Sequence, residues 1–432
     1  MLKMGAVVPT NTINTKWVAW GLGIYSVLIL TSMASMSLGI GVVLISLLAA
    51  CRGPRGLLQL IGSEFFRKDQ QEMRWYFGLT VFLTLACAVS LIGASINPLS
   101  YGGHGPVVSF FSDMAKSWYF FWPLVLVPAL RLLSEKQKQG VLLTWLLAFA
   151  VLSVVGIFQY FYGWPKAQGI PFNEPRYHAT LFLGHHLSVA SIFSFPFFIA
   201  LDLTRGTVFS KRFLIPILVV GLLALIATYS RMLWVALPIG MLIWFAWILP
   251  RKWAIFTIFM SGVAAVLLSK VPAINTRMSY FGGVSERKLL WQANYEFFKA
   301  RPMTGVGWHH NLELSGYYLK VFGNPYNPIF SGHAHSNFFE VMGSLGVLGL
   351  IAWFAWNFFV ISLPIRYRKS SGAYLARGVT CAWIVFQING LTQVNFWESK
   401  VIHSMMWIVA WTLVWAADAR QTKSHLTTEL GS

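Results

Sequence analysis

His333 and His335 stand two residues apart in Ser331-Gly-His-Ala-His-Ser-Asn337, a polar stretch that runs directly into an apolar one. Residues so spaced diverge on a helix but can converge on a loop. A neutral imidazole can take a proton from an incoming hydroxyl, and positive neighbours keep it neutral by lowering its pKa. Three other segments supply such neighbours. Arg176 lies in Asn173-Glu-Pro-Arg-Tyr-His178, ahead of Leu183-Gly-His185-His186. Arg231 closes Thr228-Tyr-Ser-Arg231, a tight turn between apolar runs; an arginine there needs an anionic partner or a snorkelling path to the interface. Arg287 opens a run that ends at Lys299-Ala-Arg301-Pro302. Guanidinium groups match phosphate oxygens two at a time and stabilise charge building on a departing phosphate. Zinc is the competing use of the histidine pair, but no Asp, Cys or His-Glu-x-x-His spacing lies nearby. No Gly-rich phosphate loop or Asp-x-Asp pair marks a soluble nucleotide donor. A diphosphate already anchored in a membrane, such as a polyprenyl-diphosphate glycan, fits instead.

The chain that must position these residues has 432 of them, 56% hydrophobic and only 11% charged. A soluble domain carries about 25% charged residues, so a soluble enzyme, a secreted scaffold and a disordered protein are excluded. The aromatic share of 16% suits rings anchoring helices at the bilayer surface. The net charge of +19 would suggest nucleic acid in a soluble chain. Here the excess of Lys and Arg on cytoplasmic loops accounts for it first, and no nucleic-acid partner is expected. Cys51, Cys87 and Cys381 lie in or beside apolar runs, which argues against a disulfide framework.

Twelve apolar stretches approach the roughly 20 residues that cross a bilayer. The first, Trp17 to Cys51, is long enough to split, at Ser35–Gly41, into two short uncleaved spans. Others run near Trp75–Ser95, Trp118–Leu133, Val141–Tyr162, Leu181–Leu203, Leu214–Tyr229, Met232–Leu249, Trp253–Ser269, Phe338–Ile365, Gly378–Phe396 and His403–Ala417. With both termini cytoplasmic, every interior connection holds at least two basic residues. The exterior loop 270–337, inserted between the ninth and tenth spans of a single polytopic domain over 1–432, breaks that pattern. It carries Lys270, Arg277, Arg287, Lys288, Lys299, Arg301 and Lys320 with few acids, which asks for something anionic outside. Every histidine except His425 also maps to the exterior side. Within the loop, Leu289, Ala293 and Phe297 recur at helical spacing. This predicts an amphipathic helix capped by Ser285, stopped by Pro302 and lying on the outer membrane boundary. Arg287 would sit in its first turn, where anions gather.

At these residues the chain resembles the O-antigen ligase family, the lipid A-core:surface polymer ligases. Their superfamily also holds O-antigen polymerases and bacterial protein O-oligosaccharyltransferases. The matching pieces are His335-Ser-Asn-Phe-Phe-Glu340, Gly343-Ser-Leu-Gly346-Val-Leu-Gly349 and Arg301-Pro-Met-Thr-Gly305-Val-Gly307. Arg287 ahead of Trp291, Ser230-Arg231, and Arg176 ahead of His185-His186 match as well. The likeness covers roughly residues 170–400. It implies an all-α integral membrane protein with about twelve transmembrane helices and a large periplasmic loop, a GT-C-like membrane glycosyltransferase of the bacterial inner membrane with its site facing the periplasm. The implied reaction is metal-independent, nucleotide-independent, inverting transfer of a glycan from undecaprenyl diphosphate to a lipid A-core hydroxyl, with no cofactor. By the same resemblance His335 is the general base and Arg287 engages the diphosphate. Arg231, Arg176, Arg301, His333, His185 and His186 become substrate contacts. Ser336 separates His335 from Asn337 where many members have His-Asn directly, so His333 stays open as the base. The rival readings are an O-antigen polymerase, a protein O-oligosaccharyltransferase and, from another class, a transporter. A transporter would place ionisable groups near the membrane midplane, whereas here they crowd one face.

Overall fold

The computed structural model describes residues 14–67, 69–165, 167–170, 176–272, 284–322, 332–368 and 375–430. Among these the structure is helical, and the only β pairings are two isolated bridges, Tyr101–His104 and Gly169–Tyr177. In chain order the helices are α1 (Thr15–Leu28), α2 (Met33–Ala50), α3 (Pro54–Phe66), α4 (Gln71–Ile96), α5 (Phe110–Ala115), α6 (Pro123–Arg131), α7 (Glu135–Tyr162), α8 (His186–Leu203), α9 (Lys211–Ala227), α10 (Arg231–Ile248) and α11 (Arg251–Ser269). Then come α12 (Val284–Ala300), α13 (Asn311–Val321), α14 (Asn337–Arg366), α15 (Ala376–Asn389) and α16 (Ser399–Leu430).

Each of the twelve expected apolar stretches holds helix. Seven of these helices (α2, α4, α7, α8, α10, α14 and α16) are long and apolar enough to cross a bilayer unaided. The chain is therefore an all-α integral membrane protein. α1 and α15 have only 14 residues each, short of the roughly 20 that cross a bilayer unaided. Burial identifies the centre: the apolar windows of α16 and α8 are 94% and 83% buried, against 28% for α10.

Local chemistry explains where helices begin and end. The α1–α2 break falls at 29–32 rather than at the expected Ser35–Gly41, because Ser32 and Ser35 form a reciprocal cap. Ser32 N–H donates to Ser35 Oγ at 2.8 Å and Ser35 N–H to Ser32 Oγ at 3.2 Å, satisfying two donors that a helix start leaves orphaned. α7 begins on a similar Ser134–Gln137 box and ends at Gly163 in the left-handed conformation.

Polar contacts sort the helix ends into two sets. At one end Arg131 pairs with Glu64 (3.2 Å) and Asp69 (3.1 Å), Lys138 with Asp418 (3.3 Å), Arg420 with Glu72 (3.2 Å) and Arg377 with Asp202 (2.9 Å). The opposite end collects His104, His178, His185, His186, His309, His310, His333, His335 and His403.

α14 is broken at Gly346, with φ 64° and ψ −156°. The loop after α12 lies against that break as a strip of backbone. Val306 and Gly307 N–H donate to the Gly343 and Ser344 carbonyls at 3.1 Å each. Val347 and Leu348 N–H donate back to the Pro302 and Met303 carbonyls at 2.8 and 3.2 Å. Backbone freed by a kink in a membrane helix must find partners inside the protein, and Arg301–Gly307 supplies them. The two glycine-bearing motifs noticed in the sequence are the two halves of this joint.

The amphipathic helix is present as α12, with one correction to its start and one to its setting. It begins at Val284, so Ser285 lies inside it rather than at its cap. Its apolar stripe does not face lipid. Ala293 and Phe297, with Leu290, are fully buried against Leu314, Tyr318 and Leu319 of α13 and against Val306, and Leu289 packs partly buried beside them; α12 also packs along α14.

Candidate active site

The loop carrying the histidine pair is fixed at both ends by side chains of α14. Ala334 N–H donates to Glu340 Oε2 at 2.7 Å. Asn337, at the start of α14, clasps the segment before α16. Its Oδ1 accepts from Asn395 N–H (2.9 Å) and Phe396 N–H (3.2 Å), its Nδ2 donates to Asn395 Oδ1 (2.7 Å), and its own N–H donates to the Gly390 carbonyl (2.7 Å). Between these anchors His335 is held at φ 48°, a conformation few non-glycine residues adopt and one that clusters at functional sites.

The two imidazoles converge as the sequence suggested, their centroids 4.2 Å apart with the rings tilted by 60°. They are not equivalent. His333 Nδ1 accepts the His335 backbone N–H at 3.2 Å, whereas His335 Nδ1 is buried with no hydrogen-bond partner among the described residues. Burial, reinforced by His333, Arg287 and His185, pushes His335 down from 6.5 to about 3. Burial and then Arg287 lower His333 as well. Both shifts favour the neutral imidazole.

The second histidine group adjoins the first. His185 precedes α8 and is lowered to about 4 by burial, then by Lys400, His333 and His178. Its Nδ1 lies 3.5 Å from Ser188 Oγ, which donates to Glu398 Oε1 at 2.6 Å. Burial raises Glu398, against the pull of Ser188, Lys400 and Gln393. His186 stacks on His178 at 4.0 Å, and His178 Nδ1 donates to the Thr228 carbonyl at 2.9 Å. That bond ties the start of α8 to the turn bearing Tyr229, at φ 56°, and Arg231, the first residue of α10.

The structure thus gathers His335, His333, Arg287 and His185 around one locus, with His186 and the Arg231 turn beside it. The other two arginines have partners elsewhere. Arg176 lies over the Phe161 ring at 4.9 Å and the Tyr160 ring at 6.0 Å, at the end of α7. Arg301 donates to the Gly93 carbonyl at 3.1 Å, closing the last turn of α4. The stretch 171–175 beside Arg176 and residue 331 beside His333 lie outside the described residues.

Lys400 and Glu398 were missed in the sequence reading. The signal was a Glu-Ser-Lys step between two apolar runs on the histidine-rich side, and it carried little until Ser188 and Asn337 were seen to hold it there. Among the described residues no three His, Cys, Asp or Glu side chains are grouped to hold a metal ion. The arrangement can accept a proton at a buried imidazole and surround an anion with positive charge.

Residues 216–354 match a family model described as O-antigen ligase. The match takes in Arg231, Arg287, Arg301, His333, His335 and the whole joint at Gly346. No curated protein matches the chain.

Proposed function

We propose that this chain, whose residues 216–354 belong to the O-antigen ligase family, joins a finished glycan to lipid A-core. Ligase or polymerase activity in lipopolysaccharide assembly follows from the family; the steps below are our reading. An undecaprenyl-diphosphate-linked glycan and the acceptor glycolipid enter from the bilayer and meet at the histidine-rich end, which faces the periplasm of the inner membrane. The His335 imidazole takes the proton of an acceptor sugar hydroxyl, whose oxygen attacks the anomeric carbon. The bond from that carbon to the diphosphate oxygen breaks and its electron pair leaves with the diphosphate. A single displacement of this kind inverts the anomeric centre. Arg287, with Arg231 beside it, takes up the charge gained by the leaving group, and no metal is required.

The observation that carries this reading is the neutral His335 imidazole, held at φ 48° beside Arg287 with no hydrogen-bond partner at Nδ1 among the described residues. It also favours His335 over His333 as base, since His333 Nδ1 is already an acceptor. The acceptor is tested by offering donor lipid together with either lipid A-core or a second donor lipid. Transfer to lipid A-core alone supports the ligase; elongation of the second donor would replace it with a polymerase.

A pH dependence follows. kcat/KM reports the free enzyme, where His335 sits near 3, so kcat/KM should show no acid limb between pH 8 and 5. Bound diphosphate brings negative charge that raises the imidazole pKa. The acid limb of kcat should therefore lie at higher pH than that of kcat/KM. A kcat/KM limb centred on the ordinary histidine value of 6.5 would contradict the burial of this ring.

A further inference from the structure

Lys400 is the cation at this locus that the scheme above leaves without a task. It lies in the first turn of α16, two residues after Glu398. Val401 and Ile402 N–H donate to the Glu398 carbonyl at 2.8 and 3.0 Å, so the helix starts there. That first turn contains no acidic residue, and the positive end of a helix dipole disfavours a cation. Glu398 attracts Lys400 through space, but its carboxylate takes its hydrogen bonds from other groups. One of its oxygens accepts from Ser188 Oγ (2.6 Å) and the other from Gln393 Nε2 (3.3 Å). Lys400 Nζ itself makes no hydrogen bond or ion pair among the described residues. Lys400 is a partly buried residue whose charge acts on His185, and its segment is tied to the histidine loop. Asn337 Oδ1, two residues from His335, accepts from Phe396 N–H, four residues before Lys400. Ser188 bridges Glu398 to His185 from the other side. An anion is the natural occupant of such a place.

Resting on the reading above, we infer that Lys400 binds the second phosphate of the polyprenyl diphosphate, opposite Arg287, and so makes this site prefer a diphosphate to a monophosphate. Breaking the anomeric carbon–oxygen bond adds one negative charge to the diphosphate, and one guanidinium spans the oxygens of a single phosphate. A second cation at a fixed distance reads the second phosphate. The Asn337 clasp is what fixes that distance, which gives the asparagine a reason to stand two residues from the base.

The test is inhibition of transfer by undecaprenyl diphosphate and by undecaprenyl monophosphate, using the full-length protein in detergent. K400Q should weaken the diphosphate about tenfold while the monophosphate stays within about twofold, the scale of one charge-assisted hydrogen bond. K400R should restore the preference. The readout is the ratio of the two affinities, which misfolding would not change. K400Q that keeps the wild-type ratio, while R287Q loses affinity for both lipids, would overturn the role of Lys400 and leave the proposed reaction standing. If R287Q also binds both lipids normally, the proposed reaction falls with it.

Discussion

His335→Asn should reduce transfer from donor lipid to lipid A-core by about 10²–10⁴-fold, the usual contribution of a positioned general base, while the protein unfolds at the wild-type temperature. Asparagine is the informative replacement because the position sits at φ 48°. Asn tolerates that conformation better than most residues, so the backbone keeps its path between the Glu340 and Asn337 anchors. The acceptor nitrogen is lost and little else changes. His333→Ala removes the acceptor for the His335 backbone N–H and should give a smaller fall, because it loosens the loop without removing the base. Near wild-type turnover in His335→Asn, measured in vesicles carrying both lipids, would eliminate this imidazole as the base.

The second large effect is on stability. Gly346→Ala should cost about 3 kcal/mol or more and sharply lower the yield of folded protein. The pair φ 64°, ψ −156° belongs to a region essentially reserved for glycine, and forcing another residue there costs about 1–3 kcal/mol. A Cβ on Gly346 would also stand 2.6 Å from the Pro302 carbonyl oxygen and 2.7 Å from Gly305 N. It would push away the strip that satisfies the broken helix, at about 1 kcal/mol for each hydrogen bond lost. Gly78→Ala serves as the comparison. It lies inside α4, where a Cβ meets nothing within 4 Å, and it should leave stability unchanged or slightly raised. Equal thermal midpoints for Gly346→Ala and wild type would refute the role of the joint.

The helices were legible because apolar runs of bilayer length have few alternatives, and each expected stretch holds one. Their ends were less so. The Ser32–Ser35 cap decides the α1–α2 break within four residues, yet its serines read as ordinary polar positions among other small residues. The site divided along a similar line. His335, His333 and Arg287 could be singled out because their chemistry and motif are local. Arg176 and Arg301 carry the same chemical signature and were grouped with them. Their charges are answered by an aromatic ring of α7, 15 residues before Arg176, and by a carbonyl of α4, 208 residues before Arg301. Lys400 and Glu398 were overlooked for the converse reason. Only the Ser188 and Asn337 bonds, made across more than 200 and about 58 positions of chain, bring their segment to the histidines.

The stripe of α12 shows how a correct local pattern can be given the wrong neighbour. Spacing of Leu289, Ala293 and Phe297 identifies a helix with an apolar side, but not what covers that side. In the folded chain α13 does so, and α12 is thereby fastened to the same helix that carries His335.

The seam where Arg301–Gly307 meets the bend of α14 bears on what kinship can tell about this chain. Its glycines are demanded by carpentry, since no other residue fits either side of the seam, and any descendant retaining the bend must retain them whatever sugar it handles. Signatures of that sort trace ancestry and say little about trade. The side chains that choose between one acceptor and another have to be sought outside the seam, on surfaces free to drift.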